Sequence, residues 1–397
     1  MRKIWAIAFL LLAGCEELQP REVGRPVDLT GINAGVVVAS TDFQRGAGVA
    51  DFIVLDPQSL EFKTFRDLEL LSADPLIQAF PLVDPEHIWV INRLGFDNIQ
   101  VLSPQHNFTT VSQFSVGNGA NPQDILVLSP DKAYVTRYET PYSDVLIVHP
   151  TRGTALGKIP LSRFASNPDQ LPRPAAMVRA GDHAFIALQN LDAFYNWGAN
   201  DMETGRLVVV NVNTDQVVDA DTATPELDPI VLETRNPLAL VSDPVSDRIY
   251  VASAGLFVRY HPEWSGVEVV NPHTLKPEAV LFRGDDPDIN GNIEDLAVLP
   301  DQTAYLLVTT FTSEQRFDSK VLQVNLALGT FLATVYTAAP NSMISDIVMD
   351  PQGLLLIADR WSERPGLVIY DTVTREFPAT ISLEPAPFAL ALWNRGI

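Results

Sequence analysis

An all-β fold, a seven-bladed propeller of four-stranded antiparallel sheets, is what this sequence predicts, on three observations. A strand-and-turn signature recurs seven times, a hairpin pattern precedes most copies of it, and the two ends of the repeat region complement each other. Self-similarity at a period of 40 to 50 residues is the mark of such repeat architectures. It is therefore weighed before any single element.

The signature is a short run of β-branched or apolar residues that ends in a polar residue and a turn, at 53–56, 101–103, 146–149, 208–211, 269–271, 322–325 and 368–371. Its polar residues are Asp56, Ser103, His149, Asn211, Asn271, Asn325 and Asp371, a base period near 46 residues with insertions. That length fits a four-stranded blade better than a helical repeat. Ahead of the signature, an apolar stretch, a turn rich in Pro, Gly and Asp, and a second apolar stretch follow one another. The clearest copy is 125–136 around Ser129-Pro130-Asp131; the others turn at Asp84-Pro85, Gly181-Asp182, Asp243-Pro244, Pro300-Asp301 and Asp350-Pro351. Apolar runs bracketed by such turns are hairpin signals, and no helical period survives across them. The first copy starts directly at 35–39, without an opening strand, while 387–393 is an opening strand with nothing after it. Pairing the last strand into the first blade closes the ring and hides its edges.

The N-terminus reads differently. Arg2-Lys3 precedes an apolar run over 4–12 and then Leu12-Ala13-Gly14-Cys15. The run is too short to span a bilayer, which takes about 20 residues, but suits a secretory signal. Leu-Ala-Gly-Cys resembles the lipobox of bacterial lipoproteins, which implies cleavage before Cys15 and acylation of its thiol. A buried Cys in an N-terminal core helix is the alternative. The expected organisation is a signal peptide over 1–14, a flexible tether over 15–30 broken by Pro20 and Pro26, and one propeller over 31–397. The same resemblance, with Glu16 after the lipidated Cys, implies the outer membrane if the source is Gram-negative.

A second resemblance lies in the repeats. Tyr134-Val135-Thr136 after Ser129-Pro130-Asp131, and Tyr250-Val251-Ala252 after Asp243-Pro244, are similar to the YVTN-type propeller repeat. The copies diverge: only 350–353 keeps the turn Gly, and the fourth motif residue varies as Asn92, Arg137 and Ser253. The family includes surface-layer proteins, envelope binding proteins and relatives of lactonases, so the resemblance implies a fold and not an activity.

Composition bounds the partners. With 49 acidic and 27 basic residues the net charge is −22, which repels nucleic-acid phosphate. Cys15 is the only cysteine, so the ring holds by its core, without a disulfide. The six histidines are scattered, and neither a Gly-x-Ser-x-Gly elbow nor a phosphate-cradling loop is present. These features lead to a monomeric, lipid-anchored module that binds an envelope protein or polymer. A lactonase-like or metal-assisted hydrolase working at the channel mouth, and a structural envelope component, are the alternatives.

In a propeller the loops from second to third strand, and from each blade to the next, open on one face. Here they are long and aromatic: 191–206 holds Tyr195 and Trp197, 256–266 holds Tyr260 and Trp264, and 310–320 holds Phe311 and Phe317. Long loops on a rigid scaffold are where binding concentrates. On the same face Asp124, Asp295 and Asp346 are expected just before innermost strands, and Arg93, Arg137, Asn190 and Arg360 just after second strands. Such a ring either grips a polar ligand through bidentate bonds or ties blades together. Asp286, Asp288, Asn290 and Asn292 alternate as calcium ligands do, although Ala297 stands where the bidentate Glu of such a loop belongs. An Asx-rich turn is the other reading of that segment.

Overall fold

The computed structural model describes residues 26–43, 47–55, 62–142, 144–167, 170–191, 204–256, 261–311, 317–361 and 363–395. Seven antiparallel sheets form the ring. In blade 1 the innermost strand is Pro387–Asn394, followed outward by Ala34–Thr41, Ala47–Val54 and Thr64–Ser72. Its closure pairs Ala34 with Asn394 and Val37 with Ala391, as the split repeat requires. Blades 2 to 7 open with Pro75–Phe80, Pro122–Ser129, Pro174–Ala180, Pro237–Asp243, Asn292–Val298 and Ile344–Met349, and each continues outward in chain order.

The recurring polar residue has a local cause. Asn211, Asn271 and Asp371 accept, through Oδ1, the backbone N–H groups two and three residues on, at 2.8–3.1 Å. Four residues after each comes a left-handed residue, Asp215, Leu275 and Arg375, as does Gly329 after Asn325. An Asx turn that feeds a residue at positive φ reverses the chain tightly into the outermost strand. Repetition in sequence thus reflects one turn used again and again.

The core comprises seven apolar layers, each between neighbouring blades. Strand side chains alternate between the two faces: in blade 2, Ile99 and Val101 pack toward blade 3 while Leu102 joins the layer shared with blade 1. The layer at the closure is the most aromatic. Phe52, Phe108 and Trp393 meet there with centroids 4.5–6.1 Å apart, and the Trp393 indole donates to the Pro85 carbonyl at 2.9 Å.

Three expectations change. The tether expected over 15–30 does not extend through its last five residues: Val27 and Leu29 are buried in the layer between blades 1 and 2, and the Val27 N–H donates to Asn107 Oδ1 at 2.9 Å. Two apolar residues in an otherwise polar run suffice to dock it. The loop expected over 310–320 is shorter, because the paired strands Thr303–Phe311 and Phe317–Asn325 extend into it. Blade 4 gains a short extra strand, Ile230–Val231, against Arg206–Asn211. Among the described residues helix is confined to three 3-10 turns, and none is long and apolar enough to cross a membrane. The signal segment and Cys15 lie outside the described residues.

Candidate functional site

The three aspartates lie within innermost strands rather than before them, because those strands start earlier than the hydropathy suggests. In six blades the pairing of first with second strand slips near its opening residues, and a bulge of this kind re-aims the side chains beside it. The third residue from the opening is Asp124 in blade 3 and Asp346 in blade 7, with Asp295 at the matching place in blade 6. In blades 1, 4 and 5 it is Ala389, Ala176 and Ala239.

Each aspartate staples its blade to a neighbour. Asp124 accepts from its own Ile125 N–H and from Met177 N–H of blade 4, both at 2.8 Å, and from Gln78 Nε2 of blade 2 at 3.1 Å. Asp295 accepts from Leu296 N–H at 2.8 Å and Ile347 N–H of blade 7 at 3.4 Å. Asp346 reaches Leu390 N–H of blade 1 at 2.7 Å. Burial pushes Asp124 up to about 7, against the pull of its three donors. Asp295 and Asp346 act on each other, and two carboxyls so placed hydrogen-bond only when one of them is protonated. Burial lifts Asp295 to about 6, and burial with the Asp295 charge lifts Asp346 well above the usual carboxylate range. Glu294, next in the chain, is raised by burial to about 7.

The arginines take different partners. Arg137 forms a bidentate pair with Asp144 at 2.7 and 2.6 Å, donates to the Val116 carbonyl at 3.1 Å and lies 4.1 Å over the Tyr142 ring. Arg93 bridges Asp74 at 2.5 Å and Gln123 Oε1 at 3.0 Å. Arg360 donates to the carbonyls of Thr41, Ala386 and Pro387 at 2.8–3.2 Å. It thereby clamps the closing strand, and burial lowers its pKa to about 10. Asn190 is buried at positive φ; its Oδ1 accepts from Ser166 N–H at 3.1 Å, and its Nδ2 has no partner. The seven polar residues therefore do not alternate in one ring: the acids sit on the inner strands and the cations at the loop ends.

Phe43 and Phe388 carry no polar signal in the sequence, yet they complete the site. Their rings meet edge to face at 5.0 Å, Arg360 lies 4.8 and 5.4 Å over them, and Arg93 lies 5.8 Å over Phe388. Phe43 and Leu94 are exposed beside the two guanidiniums. A second cluster stands over blade 5, where Trp264 is sandwiched between the His261 ring at 4.1 Å and Arg235 at 4.3 Å. Tyr195, Trp197 and Tyr260 lie outside the described residues.

The four residues of calcium-like spacing take different places. Asp286 accepts the Arg283 N–H at 2.8 Å, and its carbonyl accepts from Ile289 and Asn290 N–H groups, which closes the turn. Asp288 and Asn290 are exposed, whereas Asn292 is fully buried at the start of its strand with both amide atoms unpartnered. The four side chains thus do not share one face. No group of three or more His, Cys, Asp or Glu side chains placed to hold a metal ion occurs among the described residues.

No protein-family model matches the chain, and no curated protein matches it in sequence. Solved structures do. A protein from Lactobacillus plantarum is 10% identical with a TM-score of 0.60, over 91% of this chain and 99% of its own. A functionally unknown protein from Desulfotomaculum acetoxidans is 12% identical with a TM-score of 0.56, over 91% and 99%. Apo AztD from Citrobacter koseri is 12% identical with a TM-score of 0.52, over 91% and 98%. Likeness at this identity carries the fold alone: the chain is a seven-bladed β-propeller.

Proposed function

We propose that this chain is a lipid-anchored propeller of the cell envelope that acts as a non-enzymatic binding module, engaging a protein or polymer partner through its long-loop face. The observation that carries the reading is the cluster at the closure, where Arg93 and Arg360 flank Phe388 and the exposed Phe43. An arginine-and-aromatic surface is the composition enriched at interfaces, and here it interrupts a protein of net charge −22. The channel carboxyls are engaged by backbone N–H groups of adjacent blades, which favours stapling over lactonase-like hydrolysis. The basic start, the apolar run and Leu-Ala-Gly-Cys support the anchor.

Photo-crosslinkers placed at Phe43 and Leu94, with Val373 on the opposite face as control, test the reading in intact envelopes. A discrete adduct from positions 43 and 94, absent at 373, is expected; equal labelling at all three would point to a structural component without a working face. Cys15→Ala should move the protein from the membrane to the soluble fraction, and retention on membranes would remove the anchor.

A further inference from the structure

Between blades 1 and 2 lies a groove of about 370 Å³, within the range of small-molecule sites. Its lining is more polar than the apolar layer that also lies between these two blades. In the third strand, Asn98 and Gln100 stand on the side facing blade 1, and Gln113 of the outermost strand joins them. These amides are locked to one another. Asn92 Nδ2 donates to Asn98 Oδ1 at 3.0 Å and Gln100 Oε1 at 3.2 Å, Gln113 Nε2 donates to Asn98 Oδ1 at 2.8 Å, and Gln100 Nε2 donates to Thr110 Oγ1 at 2.7 Å.

The inventory of what remains defines the ligand. Each amide nitrogen has two hydrogens and each amide oxygen two lone pairs. Gln113, exposed at the rim, keeps its oxygen and one N–H, and the Thr110 hydroxyl keeps its hydrogen. At the floor the Ser72 hydroxyl, on a residue that is 5% exposed, has no partner. No Lys, Arg or His lines the groove, and its one carboxylate, Glu69, already accepts the backbone N–H groups of Leu70 and Thr110 at 2.9 and 2.6 Å. An anionic ligand finds no counter-charge there. Leu70 and Phe96, each 48% exposed, supply apolar surface along the same groove.

Neutral donors and acceptors, fixed in direction and set beside exposed apolar side chains, match a ligand that has hydroxyls on its edges and C–H groups on its faces. We infer that the groove between blades 1 and 2 binds a neutral saccharide, its hydroxyls bonded to Gln113, Thr110 and Ser72 and a ring face lying on Phe96. The site adjoins the arginine-and-aromatic face through the 93–97 loop, where the Phe96 N–H donates to the Arg93 carbonyl at 3.2 Å, and requires neither the anchor nor its partner.

The test is calorimetric titration of the purified full chain with maltose, cellobiose and the N-acetylglucosamine disaccharide, with glucose 6-phosphate and a neutral hexapeptide as comparators. One of the three disaccharides should bind with a Kd of ~1 mM or tighter. Gln113→Ala and Phe96→Ala should each weaken it about tenfold, roughly 1.4 kcal/mol, with thermal melting unchanged because both side chains are exposed. No heat from any disaccharide, binding unaffected by both substitutions, or preference for the phosphate or the peptide would each overturn the proposal. Since Gln113 lies on the outermost strand of blade 2 and not in the 93–97 loop, Gln113→Ala makes loss of the crosslinks and loss of sugar binding distinguishable results.

Discussion

Replacing Asp346 by Asn tests whether the two channel carboxyls share a proton. In the folded ring Asp346 accepts Leu390 N–H at 2.7 Å and hydrogen-bonds Asp295. Asn reproduces the protonated form, with its oxygen still accepting from Leu390 and its NH2 donating to Asp295. A carboxyl whose folded pKa lies above its unfolded value is a group on which the native state keeps a proton that the unfolded chain has released. Stability then falls as pH rises from the unfolded pKa through the folded one. For Asp295, at about 6 against 3.8, the loss between roughly pH 3 and pH 7 is up to about 3 kcal/mol. Asp346 adds a loss of the same sign. Asp346→Asn removes the Asp346 part and relieves Asp295 of its like-charged neighbour. Urea unfolding across that pH range should therefore show a flatter profile for the variant, and a gain over wild type of about 1–3 kcal/mol near pH 8. Asp346→Ala serves as the control: it removes the same titrating carboxyl and so flattens the profile too, but it orphans Leu390 N–H and should lie about 1–3 kcal/mol below Asp346→Asn at every pH. If Asn destabilises as Ala does, with an unchanged pH profile, the carboxyls do not share a proton.

Arg360→Lys keeps the charge but loses the planar fork that spans three carbonyls. It should lower stability by about 1–3 kcal/mol and raise hydrogen exchange selectively in Pro387–Asn394; uniform protection in that strand would refute the clamp. Arg137→Ala strips a buried bidentate pair, in which the side chains are 9% and 8% exposed, and should cost about 3–5 kcal/mol in thermal or urea unfolding. Adding Asp144→Ala should return part of that loss, because the uncompensated charge is what makes a half-broken pair costly; an additive double mutant would count against the pairing.

Blade number, closure and the third-strand signature were legible because each rests on local chemistry repeated along the chain. The turn after Asn211, Asn271 and Asp371 needs an acceptor at its first position and a left-handed residue at its fifth, and both leave marks that survive divergence. The polar site residues were legible as polar positions at strand ends, but not in their pairings. Arg137 finds Asp144 because the two are cross-strand partners in blade 3, whereas Arg360 finds backbone carbonyls. Nothing in either local sequence separates these outcomes. The calcium-like spacing did not foretell where its residues lie for a related reason: Asn292 belongs to a strand, so its side chain follows the pleat and not the loop.

Function in this ring is read where the repeat departs from itself. A repeated blade needs a small or apolar residue at the third inner-strand place, and Ala176, Ala239 and Ala389 keep to that, as does Ile77 of blade 2. Aspartate at 124, 295 and 346 replaces that packing with carboxyls that must find donors in two blades at once, which orders the channel at the cost of burying charge. Asn98 and Gln100 depart in the same sense, since blade 4 has Arg206 and Val208 at the start of its third strand while blade 2 has two amides. A ring stabilised by seven apolar layers tolerates a few such substitutions, because each layer is sealed separately from the next. The positions at which polar groups displace packing lie at the channel, where they staple blade to blade, in the groove between blades 1 and 2, and at Asp51 and Glu268 of the third strands of blades 1 and 5, where backbone N–H groups again meet the carboxyls.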